Sequence, residues 1–335
     1  MKSEFEKHQY TILLYPERSD VWRMNADPIK RIVENLAEFV SEFEPVILGY
    51  NENNVPSKMN KLNYEIHFKK IDYDDIWVRD TGAIPIFDDI FTAFQYDAYG
   101  GLIGDVTKDS TVAQQITQIL KVKIEESSLV LEGGNIVSDG NGTLLLVKES
   151  VIKRNSISIE DIEKELKQVL KIKQIIWINR GLVFDETGGH IDNICTFADS
   201  NTVILSWTDD KNNPQYHVVR EAFKTLEKSE NINGIPYKIV KIPTPDIFFA
   251  SQDDREGIEI REDSKKRLVG DSIQASYINF MFVNGGIIAP QFGVEQDKKA
   301  LEVFQQTFPN RKIVPFNARE VVLGGGGIHC ISRNI

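Results

Sequence analysis

The residues best suited to chemistry gather near Cys330. Val321-Val322-Leu323 runs into Gly324-Gly325-Gly326-Gly327, and Ile328-His329 then leads to the cysteine. The apolar, β-branched run predicts a strand. Consecutive glycines let backbone approach a ligand closely, so a thiol held at a strand end beside a cavity is expected. Three upstream segments offer partners. Trp77 and Asp80 close the stretch Asp72 to Asp80, Glu132 opens Glu132-Gly133-Gly134-Asn135, and Asp185-Glu186-Thr187-Gly188-Gly189-His190-Ile191-Asp192 holds an imidazole between acids. His190 and Asp192 are two apart, so on a strand they project from one face and Cys195 from the other. That predicts a His190–Asp192 pair and a core Cys195. Singly, each residue has a structural reading: Asp80 paired with Arg79 on a turn, Glu132 capping a loop, Trp77 in the core. His8, His67 and His217 are expected at the surface or satisfied in the core, and His329 should face away from Cys330. Together they describe what a planar guanidinium requires: paired acceptors for its N–H fork, a ring to stack on and a nucleophile aimed at its central carbon. A His-x-Asp pair can also ligate metal. Asp is a hard ligand, however, and no His/Cys cluster at zinc spacing accompanies it, so neither metal nor cofactor is expected.

Five segments with a helical apolar period must position these groups, and each is followed by a β-branched run. Asp27 as N-cap and Pro28 open the first, with Val33, Leu36, Val40 and Phe43 on one face before Pro45 to Leu48. The second, near Thr111 to Leu120, precedes Leu129 to Leu131. The third starts at Ser158, with Asp161 in a capping-box position, and precedes Ile175 to Ile178. The fourth, around Gln215 to Leu226, precedes Tyr237 to Val240, and the fifth, Glu295 to Phe308, precedes Ile313 to Phe316. Their starts recur on average about every 67 residues, which reads as one supersecondary unit used five times. Further strands are expected at Thr11 to Tyr15, Thr143 to Val147, Val203 to Trp207 and Ile278 to Val283. After four of the five units comes an acidic or nucleophilic group beside glycine or a tight turn; closed into a ring, those ends would share one central cavity. Asp246 to Asp271 shows no period and is expected to be a surface loop or lid.

Length allows two domains or one large one, and 41% hydrophobic residues can bury a large core. Two cysteines cannot build a disulfide framework, and Met1 to Lys7 lacks an apolar h-region, so a reducing cytoplasm is expected. No apolar run approaches the roughly 18 residues of a membrane span. A net charge of −11 spread along the chain argues against nucleic acid and anionic membrane and suits a cationic ligand.

The sequence resembles the agmatine deiminases of the guanidine-modifying superfamily, along nearly its whole length. The resemblance rests on Tyr15-Pro16-Glu17-Arg18 with Trp22-Arg23, Trp77-Val78-Arg79-Asp80-Thr81-Gly82, Leu131 to Ile136, and Asp185-Glu186-Thr187 with Gly189-His190 and Asp192-Asn193. It continues through Trp207 to Asp210, Ser276-Tyr277 with Asn279-Phe280, Asn284 to Gly286, Pro290 to Gly293, and the glycine run ending in Ile328-His329-Cys330-Ile331. It implies a single catalytic domain over residues 1–335, a fivefold pseudosymmetric α/β propeller of the pentein type built from ββαβ-like units around a central active site. It implies Cys330 as nucleophile, His190 as acid and base, Asp80, Glu132 and Asp192 holding the guanidinium, and Trp77 and Glu186 binding substrate. The implied reaction is hydrolysis of agmatine to N-carbamoylputrescine and ammonia in polyamine metabolism, through an amidino-cysteine; homo-oligomerisation is compatible with it. The sequence departs from the family pattern at Ala83 (usually proline), Val137 (often histidine), Gly327 (commonly asparagine) and Ser332-Arg333-Asn334 (a Thr-Gln-Gln run).

Within the same chemistry the alternatives are a peptidyl-arginine or free-arginine deiminase and an amidinotransferase. A papain-like hydrolase would use Cys330, His190 and Asp192 but leave Asp80 and Glu132 without a role. A non-catalytic binder of polyamine-like cations is the remaining class.

Overall fold

All five helices expected from the apolar period are present in the computed structural model, which describes residues 1–52, 54–56, 59–104 and 106–335. They span Asp27–Val40, Val112–Leu120, Ile159–Val169, Tyr216–Leu226 and Gln296–Thr307. Each connects two adjacent parallel strands, a pairing that cannot be closed by a tight turn. The strand pairs are Thr11–Leu14 with Val46–Tyr50, Ile90–Gln95 with Lys123–Val130, Thr143–Val147 with Gln174–Ile178, Thr202–Trp207 with Lys238–Pro243, and Gly286–Gln291 with Lys312–Asn317. On the other side of each first strand lies an antiparallel partner: Ser332–Asn334, Ile84–Pro85, Val137–Ser138, Cys195–Asp199 and Met281–Val283, respectively. Five sheets therefore share one internal order. The first is widened by Ile66–Lys70 and takes its antiparallel strand from the opposite end of the sequence.

Local chemistry explains why the helices form where they do. The first buries Ile29, Val33, Leu36, Ala37 and Val40 along one stripe, and each large aliphatic side chain removed from water contributes about 1.5–3 kcal/mol. Asp27 is the first helical residue rather than the cap; Ala26, with φ of 65°, precedes it, and the acid stays beside the positive end of the helix dipole. Ser158 caps the third helix as expected, its hydroxyl accepting the Asp161 N–H at 3.1 Å.

Two expectations need correction. Val321-Val322-Leu323 completes a short helix, Arg319–Leu323, because the chain must turn at once into the glycines; the strand comes after Cys330, at Ser332–Asn334. His190 and Asp192 lie on a tight 3₁₀ turn, Ile191–Asn193, so strand alternation is not what aligns them; Cys195 begins the next strand and is buried and free. Residues 246–271 form the surface loop expected, a largely irregular and exposed strap, tied down where Phe248–Phe249 pairs with Ser272–Ile273 beyond its end and where Arg319 holds Asp254 at 2.7 and 3.1 Å. Among the described residues no helix is long and apolar enough to cross a membrane.

Candidate active site

Each glycine before Cys330 is required by what packs against it. Added Cβ atoms would overlap the Trp22 ring at Gly324 and the Asn279 side-chain oxygen at Gly327. At Gly325, whose φ is +104°, one would lie 2.5 Å from a Glu186 carboxylate oxygen, and at Gly326 2.5 Å from the Trp77 ring. The run thus brings backbone against the pocket wall and delivers Cys330, only 4% exposed, to its floor. The Sγ lies 3.2 Å from Asn279 Nδ2 and 3.7 Å from Asp192 Oδ2. Burial, and then Asp192 and Asp80, push the thiol well above its ordinary range, against opposing hydrogen bonds from the Gly327 backbone and Asn279.

The predicted acids and imidazole meet around Gly134. A Cβ there would lie 2.6 Å from His190 Nδ1, 2.8 Å from Asp80 Oδ1 and 3.1 Å from Asp192 Oδ2, so the three surround one point. Asp80 accepts the Gly134 N–H and the Tyr99 hydroxyl, both at 2.8 Å. His190 is fully buried with Nε2 3.4 Å from Glu132 and Nδ1 3.8 Å from Asp80. Burial alone would lower its pKa, but Asp80, Glu132 and Asp192 outweigh it and raise the imidazole to about 9. Burial, with Asp192 and Glu132 adding to it, raises Asp80. Glu132 goes the other way: burial is overcome by hydrogen bonds from His190 and from Arg154, which grips both its oxygens. Nδ1 of His190 and Oδ1 of Asp192 are buried without a partner among the described residues, which leaves a donor and an acceptor for a ligand.

Several site residues escaped the sequence reading. Asn279 appears there only within a motif, yet it contacts the thiol and accepts the His329 N–H at 3.0 Å. Arg154 gave no signal beyond an ordinary helical arginine. The His329 ring bridges Asp192 Oδ2 at 2.8 Å and Glu4 Oε2 at 2.7 Å, so it shares with the Cys330 sulfur a contact to the same carboxylate oxygen. Asp75 accepts the indole N–H groups of Trp22 at 3.0 Å and Trp77 at 2.9 Å, which fixes the Trp77 ring.

A narrow pocket of about 20 Å³ leads to Cys330, with Trp77, Asp80, Tyr99, Glu186 and Arg267 in its wall. Glu186 is there as predicted, but its charge is already shared. Arg267 holds it bidentately at 3.0 and 3.1 Å and Lys265 at 2.9 Å, and although burial opposes them, these cations keep its carboxyl below the usual range. Among the described residues no cluster of three or more His, Cys, Asp or Glu is arranged to hold a metal ion.

With the geometry in place, comparison with known proteins identifies the lineage. The model of the Porphyromonas-type peptidyl-arginine deiminase family matches residues 1–335. The chain belongs to that family. Among curated relatives, the agmatine deiminase of Pseudomonas aeruginosa is 35% identical over 346 residues, covering 99% of this chain and 94% of that one. Among solved structures, the agmatine deiminase of Enterococcus faecalis superposes with a TM-score of 0.91 at 31% identity, covering 100% of this chain and 94% of that one. A cysteine-to-serine variant of the C. jejuni agmatine deiminase with substrate bound shares the fold, with a TM-score of 0.81 at 24% identity over 99% and 94% of the two chains. The mixed α/β class and the family resemblance expected from sequence are therefore borne out.

Proposed function

We propose that this enzyme hydrolyses agmatine to N-carbamoylputrescine and ammonia, with the nucleophile on Cys330. The observation that carries the reading is that Cys330, Asp80 and Trp77 line one small pocket while Asp192 contacts the Cys330 sulfur and His190 and Asp192 meet Asp80 around Gly134. Full-length similarity to agmatine deiminases supports the substrate.

In this reading Asp80, Glu132 and Asp192 accept the guanidinium N–H groups while the Trp77 ring packs beside them. The Cys330 thiolate attacks the central carbon. The C–N bond to the leaving nitrogen then breaks as His190, charged at neutral pH, supplies the proton that makes ammonia, leaving an amidino-cysteine. His190 next takes a proton from water, whose oxygen attacks the same carbon; the C–S bond breaks and the water oxygen remains in the product. The raised thiol pKa requires help in forming the thiolate. The substrate's own positive charge offsets Asp80 and Asp192 on arrival, so binding favours ionisation.

The finer architecture follows from the same reading: one catalytic domain over 1–335, with the five units arranged as a pseudo-fivefold propeller about this pocket. Its support is the repeated sheet order and the origin of the site residues on segments that follow successive units. The acidic surface fits a small cationic substrate rather than nucleic acid or anionic membrane, and a cytoplasmic setting suits a free thiol. A second reading, arginine as substrate, rests on Arg267 in the pocket wall and Lys265 beside it, two cations at Glu186 of the kind an α-carboxylate would pair with.

Ammonia release from agmatine, free arginine and an arginine peptide tests both. Agmatine turnover that disappears in Cys330→Ala is expected, with an adduct on Cys330 trapped by rapid quench and mass spectrometry. Preferential turnover of arginine or the peptide would replace the substrate, and undiminished turnover in Cys330→Ala would end the mechanism.

A further inference from the structure

Arg333 stands where the family pattern has a glutamine, and no step above uses it. It lies on Ser332–Asn334, is 3% exposed, and among the described residues its side chain donates one hydrogen bond, to the backbone carbonyl of Arg79, next to Asp80. Its guanidinium also fills the space where Gly133, next to Glu132, would carry a side chain; a Cβ there would overlap both Nη2 of Arg333 and the Arg79 carbonyl. Nε is buried without a partner, and no carboxylate lies within ion-pair distance among the described residues. A buried cation that makes so little local contact is costly unless longer-range charge offsets it.

The surrounding charges supply that offset. The titratable and charged groups around Arg333 are Arg79 and Asp80 on the short helix Val78–Thr81, Glu132 beyond Gly133, Asp192, His329 and Cys330 on the preceding turn, and the Met1 amino group, Lys2, Glu4, Lys7 and His8 from the N-terminal segment. Arg79 is spoken for by Glu4, and Arg154 by Glu132 and Asp97. That leaves Asp80 and Asp192 in the pocket with no arginine of their own.

We propose that Arg333 is a positioning residue for the guanidine-binding carboxylates: it braces the backbone segments that carry Asp80 and Glu132, and it sets a buried cation behind Asp80 and Asp192. Burial, and then the Arg79 charge, push the Arg333 guanidinium down to about 9, which still leaves it cationic at neutral pH and below, so its charge opposes the upward shift that burial gives Asp80. The inference rests on the deiminase reading for its kinetic arm but not for its chemical one.

The test compares wild type with Arg333→Gln, which keeps a donor and loses the charge, and Arg333→Lys, which keeps the charge. In kcat/KM for agmatine against pH, Arg333→Gln should move the acid limb up by roughly half to one unit, the size expected for losing a cation at this range. Arg333→Lys should restore much of the limb even where its melting temperature is lower. In a second arm without substrate, the rate of iodoacetamide modification of Cys330 at about pH 7 to 8, where Arg333 is still charged, should fall several-fold in Arg333→Gln, because the same cation favours the thiolate. An acid limb within about 0.2 unit and an alkylation rate within about 1.5-fold of wild type in Arg333→Gln would together overturn the proposal, whatever the change in stability. A wild type inert toward agmatine would fail the functional reading alone, and the alkylation arm would still decide Arg333.

Discussion

At the scale of residues, the site is governed by which groups carry charge before substrate arrives. Cys330 is buried beside two carboxylates and His190 is held protonated to about 9, so the resting state pairs a neutral thiol with an imidazolium. Iodoacetamide should therefore modify Cys330 slowly at pH 7 and rapidly only at strongly alkaline pH; a midpoint well below 7 in the free enzyme would contradict this account. The neighbouring Asn279 gives a second expectation. Its amide nitrogen lies 3.2 Å from the sulfur and its oxygen accepts the backbone N–H groups of His329 at 3.0 Å and Cys330 at 3.4 Å, so it both contacts the nucleophile and fixes its turn. By analogy with the loss of one preorganised donor, Asn279→Ala should lower kcat about 10- to 100-fold with KM changed less than threefold. An unchanged kcat would reduce Asn279 to packing. Cys330 and His190 were legible in the sequence because their residue types are scarce and sit beside glycines. Asn279 and Arg154 were not, since an amide or a helical arginine acquires its role only when segments 51 and 22 positions away fold against it.

Elements show the same division between local and distant information. The helices could be read because an apolar stripe depends on neighbours three and four positions away, and the parallel strands because each follows its helix. The strand Ile90–Gln95 went unread, and the strap over 246–271 showed no period, because its order comes from contacts with other units: Lys265 N–H to the Leu102 carbonyl at 3.1 Å, Arg255 to the Leu323 carbonyl at 3.0 Å, and Arg267 to Glu186. Sequence left the fourth unit without a contribution to the site; it in fact supplies both Arg267 and Asn279. Glu186 consequently serves as an anchor for the strap as well as a wall of the pocket. Glu186→Ala should raise the agmatine KM roughly tenfold, about 1.4 kcal/mol of binding, with a smaller change in kcat. It should also open the Lys265-Lys266-Arg267 stretch to trypsin in the folded protein. An intact strap together with unchanged kinetics would leave Glu186 with neither role.

The whole molecule inherits a pH dependence from this arrangement, because segments after different units meet at one buried charge cluster. His190 has its pKa raised from 6.5 to about 9 by Asp80, Glu132 and Asp192 against the cost of burial. A group whose folded pKa is raised stabilises the fold fully below its unfolded value and loses that contribution as pH climbs through the folded value. His190 should thus contribute roughly 2–3 kcal/mol at pH 6 to 7, declining to almost nothing above pH 10. His329 is shifted in the same direction, with Glu4 and Asp192 outweighing burial and Arg79, so the two histidines reinforce one another. Denaturant midpoints of wild type and His190→Gln should therefore differ most below about pH 6.5 and converge as pH rises from 8 to 10. The convergence separates this electrostatic term from the packing cost of replacing the ring, which does not depend on pH. A gap that stays constant across that range would mean that the imidazole is neutral in the folded protein. The proton assigned to it for departing ammonia would then have to come from elsewhere.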